Sequence, residues 1–127
     1  MLEKKARPVF LNLLQIRLPP TAIASILHRV AGVLLIVSLP FLIYLFDLSV
    51  RDNQAFAEAL RISKTPLVSI YLYGLLWALS HHFIAGIRYF LVDLECIYGR
   101  GAARFSAILV IAGGLIIPLL VYLGGVL

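Results

Sequence analysis

Charged residues are scarce in this chain and cysteine is almost absent, and both scarcities narrow what the protein can be. Only 13% of its 127 residues are Asp, Glu, Lys or Arg, whereas 62% are hydrophobic. This balance lies far outside that of soluble domains, so the composition predicts an integral membrane protein. The single cysteine, Cys96, excludes an intramolecular disulfide, a Cys-x-x-Cys metal site and a paired thioether attachment of a cofactor.

Three windows contain no charged residue and are long enough, or nearly so, to cross a membrane. Spanning about 30 Å of hydrocarbon takes about 20 helical residues. The windows run from Val30 to Phe46, from Leu67 to Ile87 and from Phe105 to Leu127. The first can extend backwards to Thr21, which follows two prolines and can serve as an N-cap. We therefore predict one all-α membrane domain over residues 1–127, with helices at about 21–46, 66–94 and 104–127.

The segment between the first two spans, residues 47–65, is the only sizeable loop that the pattern predicts. Within it, Asn53 to Ser63 favours a short surface helix. Pro40 and Pro118 fall inside the first and third windows. Neighbouring helices can satisfy the carbonyls that a membrane proline frees, so we expect bends there and not breaks.

The positions of the Lys and Arg residues predict how the chain is inserted. Eight of the eleven share the side of the N-terminus: Lys4, Lys5, Arg7, Arg17, Arg29, Arg88, Arg100 and Arg104. The other side has Arg51, Arg61 and Lys64. The positive-inside rule therefore predicts a cytoplasmic N-terminus and a C-terminus on the far side. A basic cytoplasmic rim suits anionic lipid or a peripheral protein, whereas nucleic acid is a poor partner for it.

The first residues of the chain indicate into which cellular membrane the protein is inserted. The first twenty residues are polar or interrupted by proline and show no cleavage site, so we expect the first helix to be its own insertion signal. No transit peptide precedes that helix, which favours a bacterial inner membrane, with the mitochondrial inner membrane as the alternative. Three helices with short loops cannot close a large interior, so partner helices are expected.

Polar residues on the first predicted helix share one face. Ser25, His28, Arg29 and Gly32 fall at i, i+3, i+4 and i+7. Such a face can present a hydroxyl, an imidazole and a guanidinium to a ligand, with Gly32 leaving room for a flat ring. The alternative is that His28 and Arg29 extend to the headgroups and bind nothing.

The second predicted helix contains two adjacent histidines, which point about 100° apart. His82 shares its face with Gly86 and other small residues, whereas His81 aligns with Trp77 and Arg88. A polar group inside the membrane is costly, so each is a functional candidate. A neutral imidazole is a standard haem ligand, and it is also a common hydrogen-bonding group between helices. Periodicity alone leaves open which histidine, if either, faces a cofactor.

Two motifs carry a family resemblance that covers nearly the whole chain. The first is Arg7-Pro8 followed by Ser25-Ile26-Leu27-His28-Arg29, and the second is His82-x-x-x-Gly86-Ile87-Arg88 followed by Asp93. Together with three helices of the right length and order, they resemble the cytochrome b membrane anchor of succinate dehydrogenase, or succinate:quinone oxidoreductase.

The resemblance implies a role for each matching residue. His82 matches the axial ligand of haem b, because only that register has glycine at +4 and arginine at +6. His28, Arg29 and Arg88 match groups near the haem propionates, and Ser25 with Arg29 matches the ubiquinone site. Arg29 would stabilise charge that develops on a quinone oxygen, while Ser25 would donate a hydrogen bond to a quinone carbonyl.

The resemblance also implies partners. A second small membrane anchor would supply the other haem ligand, and an iron–sulfur subunit and a flavoprotein subunit would bind on the cytoplasmic or matrix side. The chain would then be a non-flavin subunit of an oxidoreductase, not catalytic alone. Three positions depart from the family pattern: Ala31 in place of Ser or Thr, Tyr89 in place of His or Phe, and Glu95 in place of a small residue.

Other functions predict different observations. A cofactor-free structural anchor would use His82 to bond a neighbouring helix, and its purified complex would show no haem absorption. A fumarate reductase anchor would use the same residues with the reaction reversed. A small multidrug-type transporter would need a carboxylate inside the membrane, and the three windows contain none.

Overall fold

A computed structural model describes residues 16–125, and in that range the chain is all helical, without a strand. The helices are α1 (Pro20–Arg51), α2 (Asn53–Ser63), α3 (Pro66–Asp93) and α4 (Gly99–Leu123). Three of them, α1, α3 and α4, are long and apolar enough to cross a membrane. The predicted all-α fold with three spans is confirmed. Lys4, Lys5, Arg7 and Pro8, and the last two residues of the third predicted helix, lie outside the described range.

The first span is longer at both ends than the uncharged window predicts. It begins at Pro20, with Pro19 and not Thr21 at the N-cap position. Proline suits the first helical position because its φ is preset and it lacks an N–H that would have no partner there. At the other end α1 continues to Arg51, which forms an ion pair with Asp47 one turn earlier. A cation in the last turn suits the helix dipole.

The predicted loop contains α2, and the third span begins earlier than predicted, at Gly99. The carboxylate of Asp52 caps α2 by accepting hydrogen bonds from the first backbone N–H groups of the helix. On its exposed side, Arg61 donates two hydrogen bonds to Glu58 and holds the pKa of that carboxyl below its usual range. Both α1 and α4 continue unbroken through Pro40 and Pro118.

Small residues bring the three spans together. Helix α3 packs against both α1 and α4, which also contact each other. The buried residues at these contacts include one pair on each span: Ala24 and Ala31, Ala78 and Ala85, and Ala107 and Gly114. The members of each pair are two helical turns apart, so each span offers a narrow stripe to its neighbours. Small side chains allow the close backbone approach that holds membrane helices together, while large apolar side chains remain exposed.

The turn between α3 and α4 contains a strained residue. Glu95 has a φ of 59°, a conformation that costs a residue with a side chain about 1–2 kcal/mol. We expect Glu95→Gly to stabilise the protein by about 1 kcal/mol, measured as a higher midpoint of thermal unfolding in detergent. Leu94→Gly is the matched control, because Leu94 has a φ of −80° and gains nothing from glycine. A lower midpoint for Glu95→Gly would mean that the Glu95 side chain stabilises the turn.

Candidate functional site

Four of the predicted site residues form two contacts, one between α1 and α3 and one within α1. Ser25, His28 and Arg29 come from α1, and His82 comes from α3. The rings of His28 and His82 are stacked, with centroids 4.1 Å apart and planes inclined by 12°. The Arg29 guanidinium lies 3.4 Å from the Ser25 hydroxyl, to which it donates a hydrogen bond. We call these four residues the α1–α3 cluster. Arg29 is exposed and the other three are partly exposed, so the cluster opens to the outside of the bundle.

The backbone of α1 orients the His82 imidazole. Its Nδ1 lies 3.1 Å from the carbonyl oxygen of His28. A carbonyl only accepts, so this contact requires the proton to be on Nδ1. The other nitrogen, Nε2, then keeps its lone pair, which is the form in which imidazole binds a metal. A carbonyl on the remote ring nitrogen is the usual support of a metal-ligating histidine.

An open apolar groove lies beside His82. It is lined by His82, Phe83, Gly86, Ile87 and Phe90. A side-chain carbon added at Gly86 would meet nothing within 4 Å, so the backbone is open to a flat ligand there. Among the described residues, no three His, Cys, Asp or Glu side chains form a metal site. A single histidine beside an open groove is the kind of ligand that a haem iron takes from a protein, because the porphyrin supplies four of its ligands.

His81 lies in the core, although it is adjacent to His82. Its side chain is completely buried and stacks on Trp77. Its Nε2 lies 3.4 Å from the Ala24 carbonyl of α1. On the α4 side, a carbon added at Gly114 would lie 2.9 Å from the His81 Cβ. His81 thus fills the contact of three helices and leaves no room for a ligand.

Gly32 provides the space that the His82 ring occupies. A carbon added at Gly32 would lie 3.0 Å from Cε1 and 3.3 Å from Nδ1 of His82. The sequence predicts that a flat ring approaches Gly32, and the ring found there is this imidazole. The glycine therefore allows His82 to reach the carbonyl of His28.

Since the sequence motif predicts His82 as a haem ligand, we expect Gly32→Ala to displace the His82 ring and to weaken that predicted haem binding by at least about tenfold. Losing a contact that orients a metal ligand typically costs about 10- to 100-fold in affinity. The measurement is haem retained per flavin after detergent washing. Gly74→Ala is the matched control, because its added carbon meets nothing within 4 Å. Equal retention in the two variants would contradict this role of Gly32.

Arg88 points towards α4 and not into the α1–α3 cluster. It is 8% exposed, and its guanidinium donates to the Ser106 hydroxyl at 3.0 Å and to the Ala103 carbonyl at 3.2 Å. These bonds fasten α3 to α4, a role that sequence reasoning missed. Tyr89 connects the two regions, since its ring lies 5.5 Å from the Arg88 guanidinium carbon and edge-on to His28. Contact between Arg88 and a haem propionate stays a prediction.

A hydroxyl pair joins α1 and α3 towards the opposite end of the bundle. Tyr71 donates to Ser38 at 2.6 Å, and Ser38 donates to the Leu34 carbonyl. Sequence reasoning missed this contact also. The sequence signal for this contact was Ser38, a serine within an apolar window, because a buried hydroxyl needs a hydrogen-bond partner.

Comparison with known proteins gives concordant results. Residues 3–121 match the family model described as succinate dehydrogenase/fumarate reductase transmembrane subunit. The chain is similar to the succinate dehydrogenase cytochrome b556 subunit of Paracoccus denitrificans, with 32% identity over 114 residues that cover 90% of this chain and 88% of the relative. It is also similar to the subunit of the same name from Coxiella burnetii (strain RSA 493 / Nine Mile phase I), with 30% identity over 102 residues, or 80% and 82% of the two chains.

Proposed function

The chain belongs to the family of succinate dehydrogenase/fumarate reductase transmembrane subunits, and we propose that it is the haem b- and ubiquinone-binding anchor of a succinate dehydrogenase. The family predicted from the two sequence motifs is confirmed. The observation that best supports the proposed haem role is the contact of His82 Nδ1 with the His28 carbonyl. It leaves the Nε2 lone pair free on a histidine that lines an open groove.

In the proposed site, residues of α1 and α3 hold the haem from one side. His82 would ligate the iron through Nε2, and Gly86 would let the macrocycle lie close to α3. His28 and Arg29 would contact the propionates. Arg88 would also contact them, through guanidinium N–H groups that do not bond Ser106 or Ala103. When bound, the haem supplies one-electron chemistry with a potential set by its ligands and surroundings.

In the same proposal, Ser25 and Arg29 bind the quinone head. They meet at 3.4 Å and Arg29 is exposed, so both polar groups can reach one carbonyl oxygen. The hydroxyl donates a hydrogen bond, and the guanidinium stabilises negative charge as the quinone is reduced to quinol. This role requires quinone at the membrane surface where electrons arrive from the iron–sulfur subunit.

The incomplete site supports the proposed partners. The groove at His82 is lined by α3 residues alone, which leaves a place for a second anchor that would supply the other haem ligand. Large apolar residues such as Phe83 and Phe90 are exposed there. The iron–sulfur and flavoprotein subunits would bind at the basic face formed by the N-terminal ends of α1 and α4. Succinate would be oxidised on the flavoprotein, and not by this chain.

We expect the N-terminal ends of α1 and α4 to face the cytoplasm of a bacterial inner membrane, as the Lys and Arg distribution predicts. Cys96 is exposed in the turn before α4 and is a natural probe. A membrane-impermeant maleimide should label it in inverted vesicles and not in right-side-out vesicles. Cys96→Ala/Arg51→Cys, with its thiol at the other end of α1, should give the reverse pattern. Labelling of Cys96 in right-side-out vesicles would overturn the orientation.

Deleting the chain tests the proposed function as a whole. Membranes from the deletion strain should lose bound succinate dehydrogenase activity and the haem b signal, and re-expression should restore both. Restored binding of the soluble subunits without haem would support a cofactor-free anchor instead. Fumarate reduction that exceeds succinate oxidation in the restored complex would assign the chain to a fumarate reductase.

A further inference from the structure

Helix α2 carries two large apolar side chains on an exposed surface. Phe56 and Leu60 lie one turn apart, so they share a face, and they are 53% and 44% exposed. Ala59, on a neighbouring face of the same helix, is buried where α2 packs against the bundle. The bundle therefore covers one side of α2 and leaves this apolar pair, Phe56 and Leu60, outside the contact.

The polar residues of α2 lie on the side opposite to the apolar pair. Gln54, Glu58 and Arg61 fall at i, i+4 and i+7 and share one face. At 3.6 residues per turn, this face points roughly 150° away from Phe56 and Leu60. Arg61 donates two hydrogen bonds to Glu58, so their charges cancel. Helix α2 thus has a polar face, an apolar face and, between them, the face that packs on the bundle.

The position of α2 in the chain places it at the membrane surface. Asp52 alone separates it from α1, and two residues separate it from α3. Both neighbours are long and apolar enough to cross a membrane, so their adjoining ends lie at the depth of the lipid headgroups. Large apolar side chains stay exposed up to these ends, including Val50 of α1 and Leu67 of α3. The apolar pair therefore lies within a few residues of apolar surface on both spans.

We propose that α2 lies flat in the membrane interface, with Phe56 and Leu60 among the lipid acyl chains and the polar face in water. A helix with Phe and Leu on one face and charged residues on the other is typical of this position. Because the charges of Glu58 and Arg61 cancel, apolar burial and not attraction to anionic lipid holds the helix there. The contact fixes the depth of α1 and α3 at this surface.

A helix of the proposed second anchor is the other apolar surface that could cover the pair. The groove proposed for that anchor begins at His82, about 25 Å along α3 from the end that α2 adjoins. Lipid, in contrast, surrounds the end of every span that a protein partner leaves uncovered. The separation of the pair from the groove therefore favours lipid as the occupant.

The test is site-specific photocrosslinking of the whole complex in its native membrane. Phe56 is replaced by photoreactive p-benzoylphenylalanine, and after irradiation the mass of this chain shows what it has bonded. We expect phospholipid adducts in at least about tenfold higher yield than from the same replacement of Gln54, because only the apolar face meets acyl chains. Replacement of Leu60 should give the same adducts as replacement of Phe56. The adducts should include phosphatidylethanolamine as well as phosphatidylglycerol, since apolar contact does not select headgroup charge.

Four outcomes would overturn the proposal. A crosslink from position 56 or 60 to another subunit would assign the apolar pair to a protein interface. Equal lipid yields at positions 54 and 56 would show that α2 does not turn its apolar face to the membrane, and no adduct at either would place α2 in water. Adducts confined to anionic lipid would mean that charge holds the helix. None of these results depends on bound haem or quinone, so they leave the proposed function to its own tests.

Discussion

Arg29→Ala is expected to lower the rate of ubiquinone reduction by succinate about a hundredfold. Removing a single group that stabilises charge on a reacting oxygen typically costs about that much. Electron transfer from succinate to a soluble acceptor dye should stay close to the wild-type rate, because the dye takes electrons before they reach the quinone. Arg29 is exposed beside Ser25, so the substitution should leave the packing of α1 intact.

Two further variants make the Arg29 result specific. Arg29→Lys keeps the positive charge and should recover part of the quinone activity. Arg51→Ala removes an exposed arginine at the other end of α1, where it pairs with Asp47, and should reduce both activities little. Equal loss of the quinone and dye activities in Arg29→Ala would remove Ser25 and Arg29 from the quinone site.

His82→Ala is expected to reduce haem b in the assembled complex to less than about a tenth of the wild-type amount. Contacts that only support a metal ligand are worth about 10- to 100-fold in affinity, and loss of the ligand itself should cost at least that. Haem is measured as pyridine haemochrome per bound flavin. This ratio counts only complexes that have assembled.

His81→Ala is the control for His82→Ala. His81 is buried against Ala24 and Gly114, so its removal should lower the thermal midpoint and leave the haem-to-flavin ratio close to wild type. Loss of haem in His81→Ala with retention in His82→Ala would reverse the assignment. Loss in both variants, with flavin still bound, would mean that haem retention depends on the packing of α3 as a whole.

The spans could be predicted from sequence because the membrane imposes one simple rule, the exclusion of charge over about 20 residues. The helix ends could not, since charged terminal turns fall outside such a window. Arg51 extends α1 through its pair with Asp47, and Pro20 begins it because the first helical position tolerates proline. The packing of the spans was not predicted, because sequence reasoning interpreted the small residues on the face of His82 as room for a cofactor, whereas Ala78 and Ala85 are buried in the bundle.

The roles of the two histidines could not be separated by periodicity, because they depend on how α3 is rotated against both neighbours. Contacts between helices set that rotation. Gly114 of α4 accommodates His81, and Gly32 of α1 accommodates His82. Both glycines are visible in the sequence, but only the fold shows which histidine each one faces. Arg88 was missed as a link to α4 because its partner Ser106 belongs to another helix.

The departures from the family pattern have local explanations at two positions. Glu95 occupies a left-handed position, where a small residue is expected for conformational reasons. Tyr89 packs edge-on against His28, so an aromatic ring serves there as His or Phe would. Nothing in the structure explains Ala31 beyond its complete burial in the bundle.

A reduced-minus-oxidised visible spectrum of the purified wild-type complex tests the central claim most directly. The claim is that this chain presents His82 to a haem iron from an open groove. The account predicts the absorption bands of a b-type haem, in an amount close to one haem per flavin. A complex that retains flavin and oxidises succinate without any b-type signal would contradict the account and leave the chain as a structural anchor.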